Sequence, residues 1–110
     1  MGPLSKGLVV FATIKTPPMG RDARHRAGFL LRLLQEGEKL AMPHSRPMPR
    51  VGPACHELRI RDDGQSWRVV YHIGVAEIVV LAVFKKKTDQ TDKTTIELCQ
   101  ERLKAYMHVR

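Results

Sequence analysis

The fold is decided by residues 55–73, which read CHELRIRDDGQSWRVVYHI. Apolar and polar side chains alternate on both sides of the Asp-Asp-Gly-Gln turn signal at residues 62–65, and this pattern predicts a β-hairpin. The first strand places Leu58 and Ile60 on one face. The opposite face of that strand carries the charged residues Glu57, Arg59 and Arg61.

The second hairpin strand alternates in the same way, and a third strand follows it. The predicted core-facing residues of the second strand are Val69, Tyr71 and Ile73. Its opposite face carries Arg68, Val70 and His72. Residues 78–84, IVVLAVF, are apolar on both faces, as is typical of a central strand.

The N-terminal third of the chain predicts one more strand and a helix. Residues 8–14 are short, β-branched and apolar, which indicates a strand. A helix is predicted from Arg21, with Gly37 as its C-cap. Apolar residues at helical spacing predict its inner face, which consists of Ala23, Ala27, Leu30, Leu31 and Leu34.

The remaining segments complete the predicted fold. Residues 42–54 contain four prolines and predict an irregular loop. A last helix, capped by Thr91 or Asp92, is predicted to have the inner face Ile96, Cys99, Leu103 and Tyr106. The fold class is therefore predicted as α+β, a small antiparallel sheet of about four strands with N-terminal and C-terminal helices packed on one face.

The composition predicts one small domain, residues 1–110, with residues 1–7 as a flexible leader. No apolar stretch is long enough to span a membrane, a length of about 18 residues. Two cysteines without a secretory signal favour reduced thiols in the cytoplasm. The net charge of +8 favours a polyanionic partner, with nucleic acid first among the candidates.

Cationic side chains converge at one end of the predicted sheet. Arg59 and Arg68 lie on the polar sides of adjacent strands, and His72 shares the face of Arg68. The apolar third strand ends in three lysines, residues 85–87, and alternation directs Lys86 away from its two neighbours. Each of these residues taken alone is more typical of a solvated strand, or in the case of His72 of a structural or surface histidine, than of a functional site.

Together they form a patch that is almost free of carboxylates and has no metal-ligand spacing. This combination favours cleavage of a phosphodiester without a metal or other cofactor. In RNA the nucleophile is the 2′-hydroxyl, so a protein has to align the chain, neutralise phosphoryl charge and assist proton transfer. Arginine offers a planar bidentate donor for the phosphate, and lysine or histidine can exchange protons if its pKa is lowered.

Five segments in order resemble a bacterial toxin of the RelE/ParE superfamily, in its phage-derived HigB-like subgroup. They are RAGFLLRLLQEGEKLAMPHSRPMP, CHELRI, WRVVYHI, VFKKKT and IELCQERLKAY. The resemblance extends from about Ile14 to Tyr106 and implies a RelE-like microbial RNase fold. It also implies the toxin of a type II toxin–antitoxin pair, an mRNA interferase that cuts mRNA in the ribosomal A site. The implied partners are mRNA, the ribosome and a HigA-like helix-turn-helix antitoxin, through which alone operator DNA is bound.

The resemblance assigns roles to individual residues. Arg68 matches the strand arginine that acts on the scissile phosphate, Lys86 and Lys87 match basic residues after the last strand, and Arg59 matches the arginine of the ELR strand. These four are the predicted catalytic residues. The predicted substrate-binding residues come from their positions instead: His72 and Arg61 lie on the charged strand faces, and His44 and Arg46 lie in the proline-rich loop. The chain departs from RelE at Asp92, which stands near the position of a catalytic tyrosine.

Two other functions fit the same resemblance. A ParE-like toxin would share the fold and inhibit gyrase without cutting RNA, although the set Arg59, Arg68 and Lys86 argues against it. A non-catalytic module that binds nucleic acid or the antitoxin would keep the positive charge but not the chemistry.

Overall fold

The computed structural model describes residues 5–12, 19–87 and 90–109. Its elements in chain order are β1 (Gly7–Val10), α1 (Arg21–Gln35), β2 (Ser45–Pro47), β3 (Cys55–Asp62), β4 (Gln65–Ile73), β5 (Glu77–Lys85) and α2 (Lys93–Val109). The strands form one sheet in the order β1-β5-β4-β3-β2. β1 runs parallel to β5, and the other neighbouring strands are antiparallel. Within these ranges, no helix combines the length and the apolar character that crossing a membrane requires.

The predicted α+β class and the central hairpin are confirmed. β3 and β4 pair across the predicted turn, and their register places Arg59 directly opposite Arg68. The connection is a two-residue turn in which Asp63 has φ 46° and Gly64 has φ 82°. A turn with two positive φ angles matches the right-handed twist of the strands, and this explains why the Asp-Gly pair locates the hairpin correctly.

Helix α1 confirms the prediction made for it. Its buried residues are the predicted Ala23, Ala27, Leu30, Leu31 and Leu34. Gly37 has φ 94° and donates its N–H to the carbonyl of Leu34, while Glu38 donates to Leu33. These two bonds form a Schellman motif, which needs a left-handed residue at the position of Gly37.

The prediction that both helices pack on one face of the sheet is wrong. α1 packs on the face that carries Leu58, Val69 and Tyr71. α2 packs on the opposite face through Ile96, Cys99, Leu103 and Tyr106, against residues that include Cys55, Val70 and Val79. β5 explains the difference, because its alternate residues are buried on both faces, and a buried valine or leucine contributes about 1.5–3 kcal/mol. An uncovered second face would lose that contribution.

The sheet has five strands rather than about four. The additional strand is β2, which lies inside the proline-rich stretch that predicted an irregular loop. It pairs with β3 at the sheet edge, where the missing N–H of Pro47 does not interrupt the interior of the sheet.

The N-terminal strand begins and ends earlier than predicted. β1 ends at Val10 rather than at residue 14, and residues 13–18 lie outside the described ranges. Lys6 and Gly7 were assigned to a flexible leader, but both are held in place. The Lys6 N–H donates to Gln35, its ammonium donates to the carbonyl of Gly74, and the Gly7 N–H donates to Ala76. Residues 1–4 are not among the described residues.

The start of α2 positions the site. Asp92 is the N-cap, as one of the two predicted alternatives required, and its carboxylate accepts the N–H of Thr95 at 2.7 Å. Asp92 and Thr95, at the start of α2, line the same cavity as Glu57 and Arg68 of the sheet.

Candidate functional site

Two cavities meet at Arg68 and Lys86. The inner cavity, about 380 Å³, lies beside the first turn of α2 and is lined by Arg46, Glu57, Arg68, Phe84, Lys85, Lys86, Lys87, Gln90, Thr91, Asp92 and Thr95. The edge cavity, about 440 Å³, lies at the edge of β3 and is lined by Arg26, Pro43, His44, Arg59, Ile60, Arg61, Ser66, Arg68 and Lys86. The structure thus brings seven of the eight predicted site residues to one continuous surface.

Arg68 lies at the bottom of this surface. It is only 5% exposed, because it sits in β4 between Arg59 of β3 and Phe84 of β5. Burial lowers the pKa of its guanidinium, the Glu57 carboxylate opposes that change, and Arg59 and Arg46 add to it. An arginine remains protonated in spite of such a shift, so Arg68 is a fixed cation on a rigid strand.

Glu57 lies at the centre of the cations and is 1% exposed. Its Oε1 lies 3.4 Å from Nε of Arg68 and 3.3 Å from Nε of Arg46. Its Oε2 accepts the hydroxyl of Thr91 at 2.7 Å. The two arginine contacts do not have hydrogen-bond geometry, so the carboxylate acts on both guanidinium groups mainly through charge.

The patch was predicted to be almost free of carboxylates, and Glu57 corrects that prediction. The alternation of β3 did place Glu57 on the charged face. It could not reveal that β2 pairs Arg46 with Glu57, or that Thr91 reaches it from 34 residues further along the chain. Without these contacts a fully buried carboxylate would be costly, and with them it holds two arginines in position.

Alternation predicted that Lys86 points away from the other two lysines at the end of β5, and the cavities confirm this only in part. All three line the inner cavity, and Lys86 alone among them also lines the edge cavity. The Lys86 N–H donates to the carbonyl of Ser66 at 2.7 Å, which continues the β4–β5 pairing by one residue and fixes the direction of the chain. Residue 88, the last of the VFKKKT segment, lies outside the described residues.

His72 is the predicted site residue that the structure does not bring to this surface. It does share the sheet face of Arg68, but there it is buried beneath α2, in contact with the ring of Tyr106. Its Nδ1 lies 2.9 Å from the carbonyl of Pro53, a distance at which an Nδ1–H donates a hydrogen bond. The alternation of β4 gives the face of His72 but not how far α2 extends along that face.

Burial of His72 predicts a loss of stability in acid. Burial lowers its pKa below the ordinary 6.5, and the Pro53 contact opposes the shift. The unfolded chain therefore binds a proton that the folded chain rejects, so the free energy of unfolding falls as the pH drops below about 6.5, by at most about 1.4 kcal/mol per pH unit for one histidine. Burial lowers the pKa of His56 as well, which adds to the effect.

We expect His72→Asn, whose amide can still donate to Pro53, to reduce this slope. Urea denaturation at several pH values between neutral and moderately acidic would measure it. His25→Asn is the matched control, because His25 is exposed on α1. An unchanged slope in the His72 variant would contradict the prediction.

The two cysteines pack in the core as small hydrophobic residues. Neither Cys55 nor Cys99 forms a disulfide, and both are buried. Burial raises the pKa of Cys55 to about 12 and that of Cys99 to about 11.

Because both thiols are buried and protonated, we expect the folded protein not to react rapidly with a thiol reagent at neutral pH. Both thiols should react after unfolding, which a colorimetric thiol titration would measure. Fast labelling of a thiol in the folded protein would disprove it.

A comparison with protein families places the chain in a known group. Residues 18–104, which include every residue that lines the two cavities, match the family described as "Phage derived protein Gp49-like (DUF891)". The chain belongs to this family. The family is associated with toxin–antitoxin proteins of the RelE-like type, so the predicted relationship is confirmed at this level. No curated protein matches the chain.

The site residues that the sequence patterns did not reveal are Glu57, Thr91 as its partner, and Arg26.

No cluster of three or more histidine, cysteine or acidic side chains suited to a metal ion occurs in the described parts of the chain. Cleavage without a metal or other cofactor stays a prediction.

Proposed function

We propose that the protein is the toxin of a type II toxin–antitoxin pair, in the HigB-like subgroup, and that it acts as a metal-independent mRNA endoribonuclease. The observation that carries the proposal is the buried guanidinium of Arg68, which together with Lys86 lines both of the cation-rich cavities. A phosphate is the group in RNA that such an arrangement fits best.

The cleavage reaction needs a fixed positive charge at the phosphorus. The 2′-oxygen of one nucleotide attacks the adjacent phosphate, the bond from phosphorus to the 5′-oxygen breaks, and the products are a cyclic phosphate and a 5′-hydroxyl. Negative charge develops on the phosphoryl oxygens in the transition state. Arg68 is held by β4 and by Glu57 before substrate arrives, so little free energy is spent on reorienting it.

Two proton transfers accompany the reaction, because the 2′-hydroxyl loses its proton to solvent water as it attacks and the leaving 5′-oxygen gains one. Lys86 and Lys87 are our candidates for protonating the leaving 5′-oxygen, because both line the inner cavity beside Arg68. Asp92 has a different part, because hydrogen bonds from Thr95 lower its pKa and keep it ionised as the cap of α2. Arg46 lies on the far side of Glu57, where its half-exposed side chain is suited to binding the RNA backbone.

The cellular setting is part of the same proposal. We propose a HigA-like helix-turn-helix antitoxin as the neutralising partner, mRNA in the ribosomal A site as the substrate, and the cytoplasm as the location. Operator DNA would be bound only through the antitoxin complex. The net charge of +8 supports a polyanionic substrate, since it raises the local concentration of RNA near the protein.

Induction of the protein without an antitoxin tests the proposal. We expect growth arrest together with mRNA fragments that carry 5′-hydroxyl ends, mapped by primer extension, and neither effect after induction of Arg68→Lys. Arg32→Lys is the control, because Arg32 is exposed on α1 and lines neither cavity. Intact mRNA during arrest would overturn the proposal, and a supercoiling assay with purified protein would then test the ParE-like alternative.

A further inference from the structure

The edge cavity differs from the inner cavity in its charge. Among the described residues, those that line the inner cavity include two carboxylates, those of Glu57 and Asp92. The described residues that line the edge cavity include neither aspartate nor glutamate. Its ionisable side chains are Arg26, His44, Arg59, Arg61, Arg68 and Lys86.

The position of the edge cavity follows from the short length of β2. The Arg59 N–H donates to the carbonyl of His44 at 2.9 Å, and beyond this bond β3 no longer has β2 beside it. Helix α1 lies near this part of β3, where Nη1 of Arg26 donates to the carbonyl of Arg61 at 2.8 Å. Cations from α1, β3, β4 and the residue that follows β5 thus meet at one edge of the sheet.

These cations are close enough to affect one another. Burial has the largest effect on Arg68, whose pKa it lowers; the charge of Glu57 opposes that change, and the charge of Arg59 lowers the pKa further. Glu57 is the carboxylate beside Arg68, but it does not line the edge cavity. The like charges that do line the cavity repel one another, so an anion that enters between them is bound favourably. The same repulsion argues against a purely structural role for the cations of the edge cavity.

We propose that the edge cavity binds the phosphate next to the scissile phosphate on the same RNA strand. Arg26, Arg59 and Arg61 hold the neighbouring phosphate, and Arg68 with Lys86 lies between the two phosphates because both residues line both cavities. This inference rests on the proposed function and deepens it. The ligand is a single-stranded polynucleotide with consecutive phosphates, and Arg59 then contacts the neighbouring rather than the scissile phosphate.

The test measures binding of a short single-stranded RNA whose 2′-oxygens are methylated, so that it cannot be cleaved. We expect Arg26→Ala and Arg61→Ala each to weaken binding several-fold. Each loss of a phosphate contact should also reduce the slope of log K against log salt by about 0.7. The control is Arg32→Ala on the exposed side of the same helix, and thermal unfolding of every variant shows that it is folded.

A second ligand locates the contact. Replacing the one phosphate next to the scissile position with an uncharged methylphosphonate should weaken binding by the unaltered protein and have little further effect on the Arg26 and Arg61 variants. Equal weakening in all of them would overturn the inference. The cleavage assay separates the two proposals, because cleavage with no effect of Arg26 or Arg61 on binding rejects only the edge site, whereas absence of cleavage rejects the proposed function.

Discussion

Arg68→Lys is expected to lower kcat/KM for RNA cleavage by about 10²–10³-fold, the usual cost of removing one fixed donor that stabilises a developing oxyanion. Lysine keeps the positive charge beside Glu57, so the buried carboxylate still has a cationic partner. It loses the planar pair of donors that matches two phosphoryl oxygens. The variant therefore separates the chemistry of Arg68 from its contribution to the fold.

The comparison needs purified protein, a defined RNA and ribosomes in the same assay. Arg32→Lys should keep the rate of the unaltered protein, and the free energy of unfolding of both variants is measured by denaturation. A change in rate of less than about threefold with an intact fold would show that Arg68 does not contact the scissile phosphate.

Glu57→Gln is expected to lower the free energy of unfolding by about 2–4 kcal/mol, because it leaves Arg68 buried without its carboxylate partner. This loss is smaller than the loss expected when both partners of Glu57 are fully buried, since the Arg46 side chain is 38% exposed and water screens its charge. The glutamine can still accept the hydroxyl of Thr91, so the change removes charge more than shape.

Chemical denaturation of Glu57→Gln and of the exposed control Glu101→Gln would measure this difference. Adding Arg68→Gln to Glu57→Gln should restore part of the stability, since neither buried charge then remains. The double variant should not cleave RNA, because it lacks the guanidinium of Arg68. If Glu57→Gln were as stable as the control, the carboxylate would not be the group that holds Arg68 in place.

Local patterns in the sequence were sufficient for the elements that carry the site. The Asp-Gly turn and the alternation around it specify the β3–β4 hairpin, and with it the opposition of Arg59 and Arg68. The 3.6-residue period gives the buried face of α1, and Gly37 gives its end. These features depend on residues that are close in sequence, so they are readable from one strand or one turn at a time.

The sequence pattern did not show which sheet face each helix covers. Residues 78–84 of β5 are apolar on both faces, and such a strand requires cover on both faces. This pattern does not say which helix covers which face, because that depends on the path of the connections. The same limit explains why His72 was expected in the site and lies under α2 instead.

By itself, the sequence determined the β3–β4 hairpin, the central strand β5 and which residues share a face, because side-chain alternation and turn chemistry act over a few residues. Only the tertiary structure decided that Arg46 and Thr91 meet Glu57, and that Arg26 of α1 reaches the edge of β3. Such contacts join segments 11 to 35 residues apart in these three pairs, and they form only when the whole chain packs. The lysines of residues 85–87 follow the same rule, since their positions come from β5 and their division between two cavities comes from the fold.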